Sequence, residues 1–416
     1  TVEVVKEQEV VTTVEVEREG QMVVVTATPQ PVQAVEFKSK DPNTYVEVTF
    51  GEPETLDPAL DYETAGAEMI ANIYDTLIYY NREKPSSDFV PQLATSWTIS
   101  EDGKTYTFTL RQGVKFHNGN DMTAEDAAYT FQRGILQGST SSPQWLLTEP
   151  LFGIGIDDVS LLVDPEGNLY DDQEGMKAAD PAALVAACEQ VKAAVVADEA
   201  AGTLTFSLAQ PWGPFLATLA QSWGSIMDKE WTVENGGWDG SCDTWQNFYA
   251  VTSENDPFTS IAMGTGPFMF DHWTKGQEFV MVRNPNYWRT EPIWEGGPSG
   301  PAKLERIVTK YVNEWGTRFA MLQAGDADSV AVPRENVSQV DPLVGERCEY
   351  NLEKLTFDGT CQVISDQPLR LFLGAPTVSR TDVFLNFDIV NPEGGNPLIG
   401  SGKLDGNGIP PDFFSD

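Results

Sequence analysis

A mixed α/β fold divided among more than one domain is what this sequence predicts, and three observations predict it. The chain has 416 residues, well beyond the length at which a single hydrophobic core stops growing. Strand and helix patterns succeed one another: Tyr45-Val46-Glu47-Val48-Thr49-Phe50 alternates as a strand, and Ala65 to Tyr79 sets Met69, Ile70, Ile73, Leu77 and Ile78 on the inner side of a helix. The stretch Val90 to Arg133 then joins both periods without a gap. Trp97 and Ile99 lead into a turn at Asp102-Gly103, and Tyr106, Phe108 and Leu110 return as the second strand of a hairpin with one buried face. Thr123 precedes Asp126 at the spacing that caps a helix, on which Ala124, Ala127, Ala128, Phe131 and Ile135 recur at helical intervals.

Composition narrows the function. Sixty-three acidic against 26 basic residues give a formal charge of −37, which repels nucleic acid and anionic lipid and suits a well-solvated surface in a salty exterior. A hydrophobic content of 41% is enough for a core. No run of about 18 apolar residues exists to span a membrane. The start carries neither a signal peptide nor an initiating Met, as expected of a processed N-terminus. Cys188, Cys242, Cys348 and Cys361 are spaced too widely for a zinc ribbon. Outside the cytoplasm they would suit disulfides, with Cys348 to Cys361 the easiest closure and Cys188 to Cys242 left over; four buried thiols are the alternative.

Taken in order, residues 1–40 differ from all that follows. Val2-Glu3-Val4-Val5-Lys6-Glu7 is echoed by Val14-Glu15-Val16-Glu17-Arg18-Glu19, and the β-branched residues with intervening Glu predict an extended or strand-like stalk. A coiled coil is disfavoured because Leu is absent and no heptad persists. Exposed runs of this kind pair with a neighbour when one is offered, so pairing of residues 1–31 between chains or copies is a second expectation. Asp157 to Asp180 is an acidic region with Asp164-Pro165-Glu166-Gly167-Asn168 as turn chemistry; the spacing of a calcium loop is not met, and a solvated loop is expected. Leu204 to Leu208 reads as a strand. Gly296 to Pro301 reads as a hinge-like linker, followed by a strand over Leu304 to Val312 and a helix to Ala324.

Catalysis has little to work with. His117 and His272 are the only histidines, neither in a catalytic motif, and acid pairs such as Glu125-Asp126 do not face each other across a substrate. No enzyme activity, no cofactor and no metal site is expected.

Four motifs carry a resemblance. Leu110-Arg111-Gln112-Gly113-Val114-Lys115-Phe116-His117 with Asn118-Gly119 and Thr123-Ala124-Glu125-Asp126 comes first, then Gln210-Pro211-Trp212-Gly213-Pro214-Phe215-Leu216. Met263-Gly264-Thr265-Gly266-Pro267-Phe268-Met269-Phe270 and Arg283-Asn284-Pro285-Asn286-Tyr287-Trp288 follow in the same order. Together they resemble the extracytoplasmic solute-binding proteins, family 5, that serve ABC importers of the peptide and nickel class. The family usually has Asp-Gly where this chain has Asn118-Gly119, and Pro near Asp121; both departures fall in a loop. The resemblance implies an α/β, two-lobed periplasmic-binding-protein-like fold with an extra scaffold subdomain, incomplete at the C-terminus. It implies lobe one over 41–295, the scaffold at about 80–200, and the start of lobe two over 302–416. Leu56-Asp57-Pro58 matches the family's loop bordering the ligand cleft, which implies Tyr62, Glu63 and Thr64 at its edge. Trp145 stands where the family offers an aromatic, and Phe268 joins them as a ligand-binding residue. The implied function is binding of oligopeptides or similar small solutes by hinge closure, for delivery to the membrane subunits of an ABC importer. The stalk resembles the spacer of surface lipoproteins, which implies the cell surface or periplasm and a lipid anchor upstream of residue 1. The competing class is a surface assembly protein whose stalk pairs between subunits.

Overall fold

The structure is a computed structural model and describes residues 13–18, 21–26, 37–81, 88–295, 297–354 and 356–375. Within the stalk, Thr13–Arg18 (β1) and Gln21–Thr26 (β2) pair antiparallel, Val14 opposite Val25 and Val16 opposite Val23. These β-prone residues therefore find a partner within their own chain. The rest of the segment expected to pair lies outside the described residues.

The globular part is built on a five-stranded sheet. Thr44–Thr49 (β3) is the strand read from the alternation, with Val48 fully buried. The helix that follows, Thr64–Ile73 (α1), is shorter than the periodicity predicts. It stops at Tyr74, and Leu77 and Ile78 leave the helical face to enter a short strand, Ile78–Tyr80 (β4), paired with Phe89–Pro91 (β5). The reason lies in a crossing chain. Gly266 N–H donates to the Ile73 carbonyl at 2.8 Å, and a Cβ on Gly264 or Gly266 would sit 2.3 or 2.6 Å from that same oxygen. The glycines of the Gly-Thr-Gly motif thus permit the close crossing that their position suggests, and it ends α1.

The hairpin of Ala94–Ile99 (β6) and Thr105–Leu110 (β7) forms as read, with Trp97 opposite Phe108 and Gly103 in the turn at φ +69°. One expectation fails in it. Ile99 is 46% exposed, because β6 is the edge strand of a four-stranded sheet ordered β6-β7-β9-β8 and is covered on one flank only. The other two strands are Val195–Asp198 (β8) and Thr203–Ser207 (β9). Ala124–Gln137 (α2) begins with the capping box read from the sequence: Asp126 N–H donates to Thr123 Oγ1, and Thr123 N–H donates back to Asp126 Oδ2. It lies over a core in which Phe131 meets Phe206 and Phe206 meets Phe215, with centroids 5.0 and 5.3 Å apart. A disulfide from Cys188 in the helix Pro181–Ala194 to Cys242 ties the outer side of this core. Trp145–Phe152 (α3) follows the loop after α2.

The largest correction concerns the return from this region. Phe268–Thr274 (β10), Glu278–Arg283 (β11) and Arg306–Tyr311 (β12) run antiparallel in sequence, and β12 then lies parallel to β3, with Ile307 beside Tyr45 and Lys310 beside Val48. The strand expected to open a second lobe near Ala302 is therefore a neighbour of the first strand in the same sheet. A helix, Trp315–Gln323, leads to Ser329–Val330 (β13) on the other side of β3. Residues 297–301 of the Gly/Pro-rich run are part of a connection inside one unit, and composition alone does not separate that case from a hinge. The chain divides instead between Pro342 and Leu343. In the second unit, Val344–Glu349 (β14) is flanked by Cys361–Val363 (β15) and Leu369–Leu373 (β16), and Cys348 is joined to Cys361.

A buried ion pair holds the loop after β3 against α2. Arg133 donates from both terminal nitrogens to Asp57, at 2.9 and 2.5 Å, and both side chains are almost wholly buried. Asp57 also accepts from the Ala59 amide at 2.9 Å, while Asp256 stands 3.8 Å from the same guanidinium, which lies 4.8 Å over the Phe258 ring. Burial by itself would raise the Asp57 carboxyl, but the charge and hydrogen bonds of Arg133 outweigh it and hold the group below the ordinary range. Burial, with Asp57 adding repulsion, pushes Asp256 upward. Asp61, four residues on, is pushed up to about 8, first by burial and then by the charge of Glu63.

Two outcomes are expected. Arg133→Met leaves Asp57 buried without its counter-charge and should lower unfolding free energy by about 3–5 kcal/mol; combining it with Asp57→Asn should restore part of the loss. Denaturant titration checks this, and an unchanged midpoint in the single variant would remove the pair as an anchor. Asp61 keeps its proton when folded and is ionised when unfolded, so its contribution is fully present below about 4 and is lost as pH rises toward 8. Asp61→Asn should therefore flatten the fall in melting temperature between pH 5 and pH 7, each about a unit inside that window; parallel curves for parent and variant would show that Asp61 does not titrate there.

Candidate functional site

In open α/β sheets ligands bind beyond the carboxyl ends of the parallel strands, where loops diverge and backbone groups are left free. Here β3, β12 and β13 are the parallel strands, and their carboxyl ends release Phe50-Gly51-Glu52, Val312-Asn313-Glu314 and Ala331. An aromatic and acidic shelf results. Phe50 is 62% exposed, with the Arg318 guanidinium 5.5 Å over its ring. Arg318 is itself buried and spans two strand ends, donating to the carbonyls of Val312 at 2.8 Å and Asn313 at 2.9 Å after β12 and, at 3.5 Å, to that of Ala331 after β13. Trp315 stacks on Phe319 at 5.3 Å at the start of the helix, where Glu314 caps the Gly316 and Thr317 amides. Glu52 accepts from the Trp273 indole at 2.9 Å and the Gly276 amide at 2.7 Å, which pins the β10–β11 turn to the shelf.

Among the buried polar atoms of this region that lack a partner are two donors at its edges, the Tyr311 hydroxyl at the end of β12 and the Trp223 indole N–H beside Tyr62; Arg318 Nε and Asp61 Oδ1 are others. Buried groups of that kind are normally paired. Burial, followed by the charges of Glu52, Glu63, Glu68 and Glu47, raises the Tyr311 phenol, so it stays a donor. Aromatic faces, surplus carboxylates and unpaired donors together suit a solute with a cationic amine and hydrogen-bonding main-chain groups.

The residues expected to bind ligand divide between places. Tyr62 is half exposed and meets the Trp223 ring edge-on at 5.7 Å. Glu63 is the N-cap of α1, accepting from the Ala65 and Gly66 amides, and Thr64 is the first residue of that helix, exposed. Trp145 opens α3, 37% exposed, and the preceding Gln144 donates to the Ala59 carbonyl at 3.1 Å, which ties α3 to the same loop as Tyr62. Phe268 lies elsewhere. It is buried at the opposite end of the sheet, where β10 begins, on the wall of a separate cavity. Phe50, Trp223, Tyr311 and Arg318 are absent from the expectation; the signal for three of them is their place at or just beyond the strand ends, visible only once β12 is set beside β3.

Groups for other chemistry are committed. His117 Nε2 meets the Gly266 carbonyl at 3.0 Å, and burial lowers its pKa. His272 sits on the β10 surface beside Asp271. Glu346, Cys348 and Cys361 form the one cluster of metal-ligand types among the described residues, and its two sulfurs are bonded to each other. Asp164 accepts from the amides of Glu166 and Asn168, making its acidic loop a set of local turns.

Comparison with known proteins gives these features a family. The chain is 29% identical over 311 residues to the probable D,D-dipeptide-binding periplasmic protein DdpA of Escherichia coli, covering 74% of this chain and 47% of that one. It is 28% identical over 348 residues to the heme-binding protein A of Haemophilus influenzae, covering 78% and 52%. Among solved structures, DppA of Helicobacter pylori in complex with the peptide STSA aligns with a TM-score of 0.47 at 24% identity, over 73% of this chain and 49% of that one. The chain thus spans about half the length of the curated relatives it matches. The model of bacterial extracellular solute-binding proteins, family 5, matches residues 88–350, more than half of the chain, and the protein belongs to that family of non-catalytic, mixed α/β binding proteins.

Proposed function

We propose that this protein binds a peptide or a similar small solute outside the cytoplasm, on the shelf at the carboxyl ends of β3, β12 and β13, and delivers it to the membrane subunits of an ABC importer. The observation that carries the reading is the pairing of aromatics with excess carboxylate at those ends: exposed Phe50 and Tyr62, with half-buried Trp223 behind Tyr62, beside Glu52 and Glu63. A peptide amino terminus supplies the cation, and its carbonyls supply acceptors for the Tyr311 hydroxyl and the Trp223 indole. Relatives named as dipeptide-binding and di/tripeptide-binding proteins support the solute class. A one-sided shelf leaves a solute half wet, so closure of a second lobe over it is the step that would complete capture. Trp145, at the start of α3, borders the same loop and contributes a further aromatic face. An anchor upstream of residue 1 would hold the protein at the cell surface or in the periplasm.

Calorimetry of the native protein with a panel of di- to pentapeptides tests the reading. Binding of a free-amine peptide is expected to weaken by about tenfold, or 1.4 kcal/mol, on acetylation of its amino terminus. Tyr62→Ala and Phe50→Ala should each weaken it to a similar degree. If no peptide binds while heme or nickel does, the solute class is wrong; if acetylation changes nothing, the acidic shelf is not where the amine goes.

A further inference from the structure

The sheet has a second opening, at the end opposite the shelf. A cavity of about 790 Å³ lies there among the last turn of α1, Gln92, the Asn-Pro-Asn-Tyr-Trp turn and the segment leading into β12. Its wall carries two cations, Arg289 and Lys303, and a single acid, Asp75. The acid is already spoken for: Asp75 accepts from Gln92 Nε2 at 2.5 Å, Thr265 Oγ1 at 2.8 Å, the Tyr287 hydroxyl at 3.1 Å and Trp288 Nε1 at 2.8 Å. Four donors fill the acceptor sites of one carboxylate.

Arg289 has no such match. It is 8% exposed, donates to the Pro91 carbonyl at 3.3 Å and rests 4.6 Å over the Trp288 ring, and it forms no ion pair with a carboxylate among the described residues. Arg111 rests on the same ring at 4.8 Å, so the neighbouring charge is of like sign. A buried guanidinium held by one carbonyl, a phenol and a π-face is short of negative charge. In a chain of net charge −37 a cavity of this sign is an exception to its surroundings. The Gly/Pro run forms the lip. A Cβ on Gly297 would come within 2.8 Å of the Trp294 indole, so the glycine lets the chain pass over that ring.

We propose that this cavity is a second binding site, for a small organic anion: an aromatic or aliphatic carboxylate whose charge pairs with Arg289 and Lys303 and whose apolar body lies on Phe268, Ile293, Trp294 and Ile307. The volume is that of an ordinary small-ligand pocket, apolar walls with a few convergent polar groups. Two further wall residues have unpaired atoms, the Gln92 side-chain Oε1 and the Trp294 indole N–H, and the latter adds a donor for a carboxylate. Such a ligand would tie α1, the Asn-Pro-Asn-Tyr-Trp turn and the entry to β12 into one body and stabilise the fold by mass action. The site is independent of the peptide shelf, since the strand ends that form the two are opposite ones.

The test is calorimetry and thermal melting of the native protein with phenylbutyrate, phenylbutanol and phenylbutylamine, three probes of one shape and different charge. Phenylbutyrate should bind one equivalent and raise the melting temperature, with the alcohol and the amine weaker by about tenfold or more. Arg289→Gln should reduce phenylbutyrate binding to the level of the alcohol. Because Arg289 also holds the Pro91 carbonyl, a second variant guards against misfolding: Ala71→Phe fills the cavity from an exposed position on α1 and should abolish binding with the melting temperature of the free protein unchanged. Equal binding of the acid and the alcohol, binding that survives Ala71→Phe, or no binding of phenylbutyrate would each overturn the proposal.

Discussion

The Asp57–Arg133 pair is the contact on which the arrangement of this unit depends. Its two residues come from elements that share no backbone hydrogen-bond ladder: the loop after β3 and the middle of α2. The loop belongs to the five-stranded sheet and the helix to the four-stranded one, so the pair bolts two cores together. Asp256 and Phe258 close over the guanidinium from a third segment. Two acids around one cation crowd negative charge into a dry place, and the pair separates accordingly: Arg133 holds Asp57 low, while burial and the charge of Asp57 push Asp256 up. The cost of burying the ions is offset by bidentate geometry and by the Ala59 amide, and the gain is a fixed path for the loop that carries Tyr62 and Glu63 to the shelf.

Asp75 does for the opposite end of the sheet what Asp57 does for the shelf. It gathers side chains from β5's continuation, the Gly-Thr-Gly crossing and the Asn-Pro-Asn-Tyr-Trp turn onto one carboxylate, immediately after α1 stops. The crossing at Gly264 and Gly266 makes this close gathering sterically feasible, since any side chain there would strike the Ile73 carbonyl. Motifs that look like separate signatures along the chain are therefore neighbours around a single group. That neighbourhood also explains why the cavity beside it carries cations: the one acid nearby has its lone pairs occupied by neutral donors, and Arg289 is left to a phenol and an indole face.

What was legible in the sequence is what short range decides. The hairpin of β6 and β7, the capping box of α2, the short Cys348–Cys361 closure and the glycine crossing each depend on residues whose spacing or backbone freedom is visible in the letters, whereas Cys188–Cys242 could be named only as the pair left over. The order of strands in a sheet is a different matter. Leu304 to Val312 reads as a strand whether its neighbour is β3 or a strand of another domain, and the linker before it has the composition of a hinge in either case. Misplacing that strand hid the shelf, because Tyr311 and Arg318 join Phe50 only when β12 lies beside β3. Glu63, expected at the edge of the ligand cleft, also caps α1, a second use that a carboxylate just before a helical run commonly has and that its place in the sequence does not announce. Phe268 alternates correctly in its strand, yet the alternation says nothing about which end of the sheet it occupies.

The distribution of charge ties these points together. The surplus of acid is spread over the surface, while three of the arginines, Arg133, Arg289 and Arg318, lie inside with less than a tenth of their surface exposed. Each is held by a different kind of group: a carboxylate for Arg133, strand-end carbonyls for Arg318, and for Arg289 only a carbonyl, a phenol and an aromatic face. Salt screens the mutual repulsion of the exposed carboxylates over about 10 Å at 0.1 M but reaches buried pairs far less. Added salt would therefore relieve the surface while leaving the interior anchors intact. Arg318 shows why the anchors matter for the shelf: by gripping the carbonyls of Val312 and Asn313 it fixes the end of β12, and with it the unpaired Tyr311 hydroxyl, in a surface otherwise built from mutually repelling side chains.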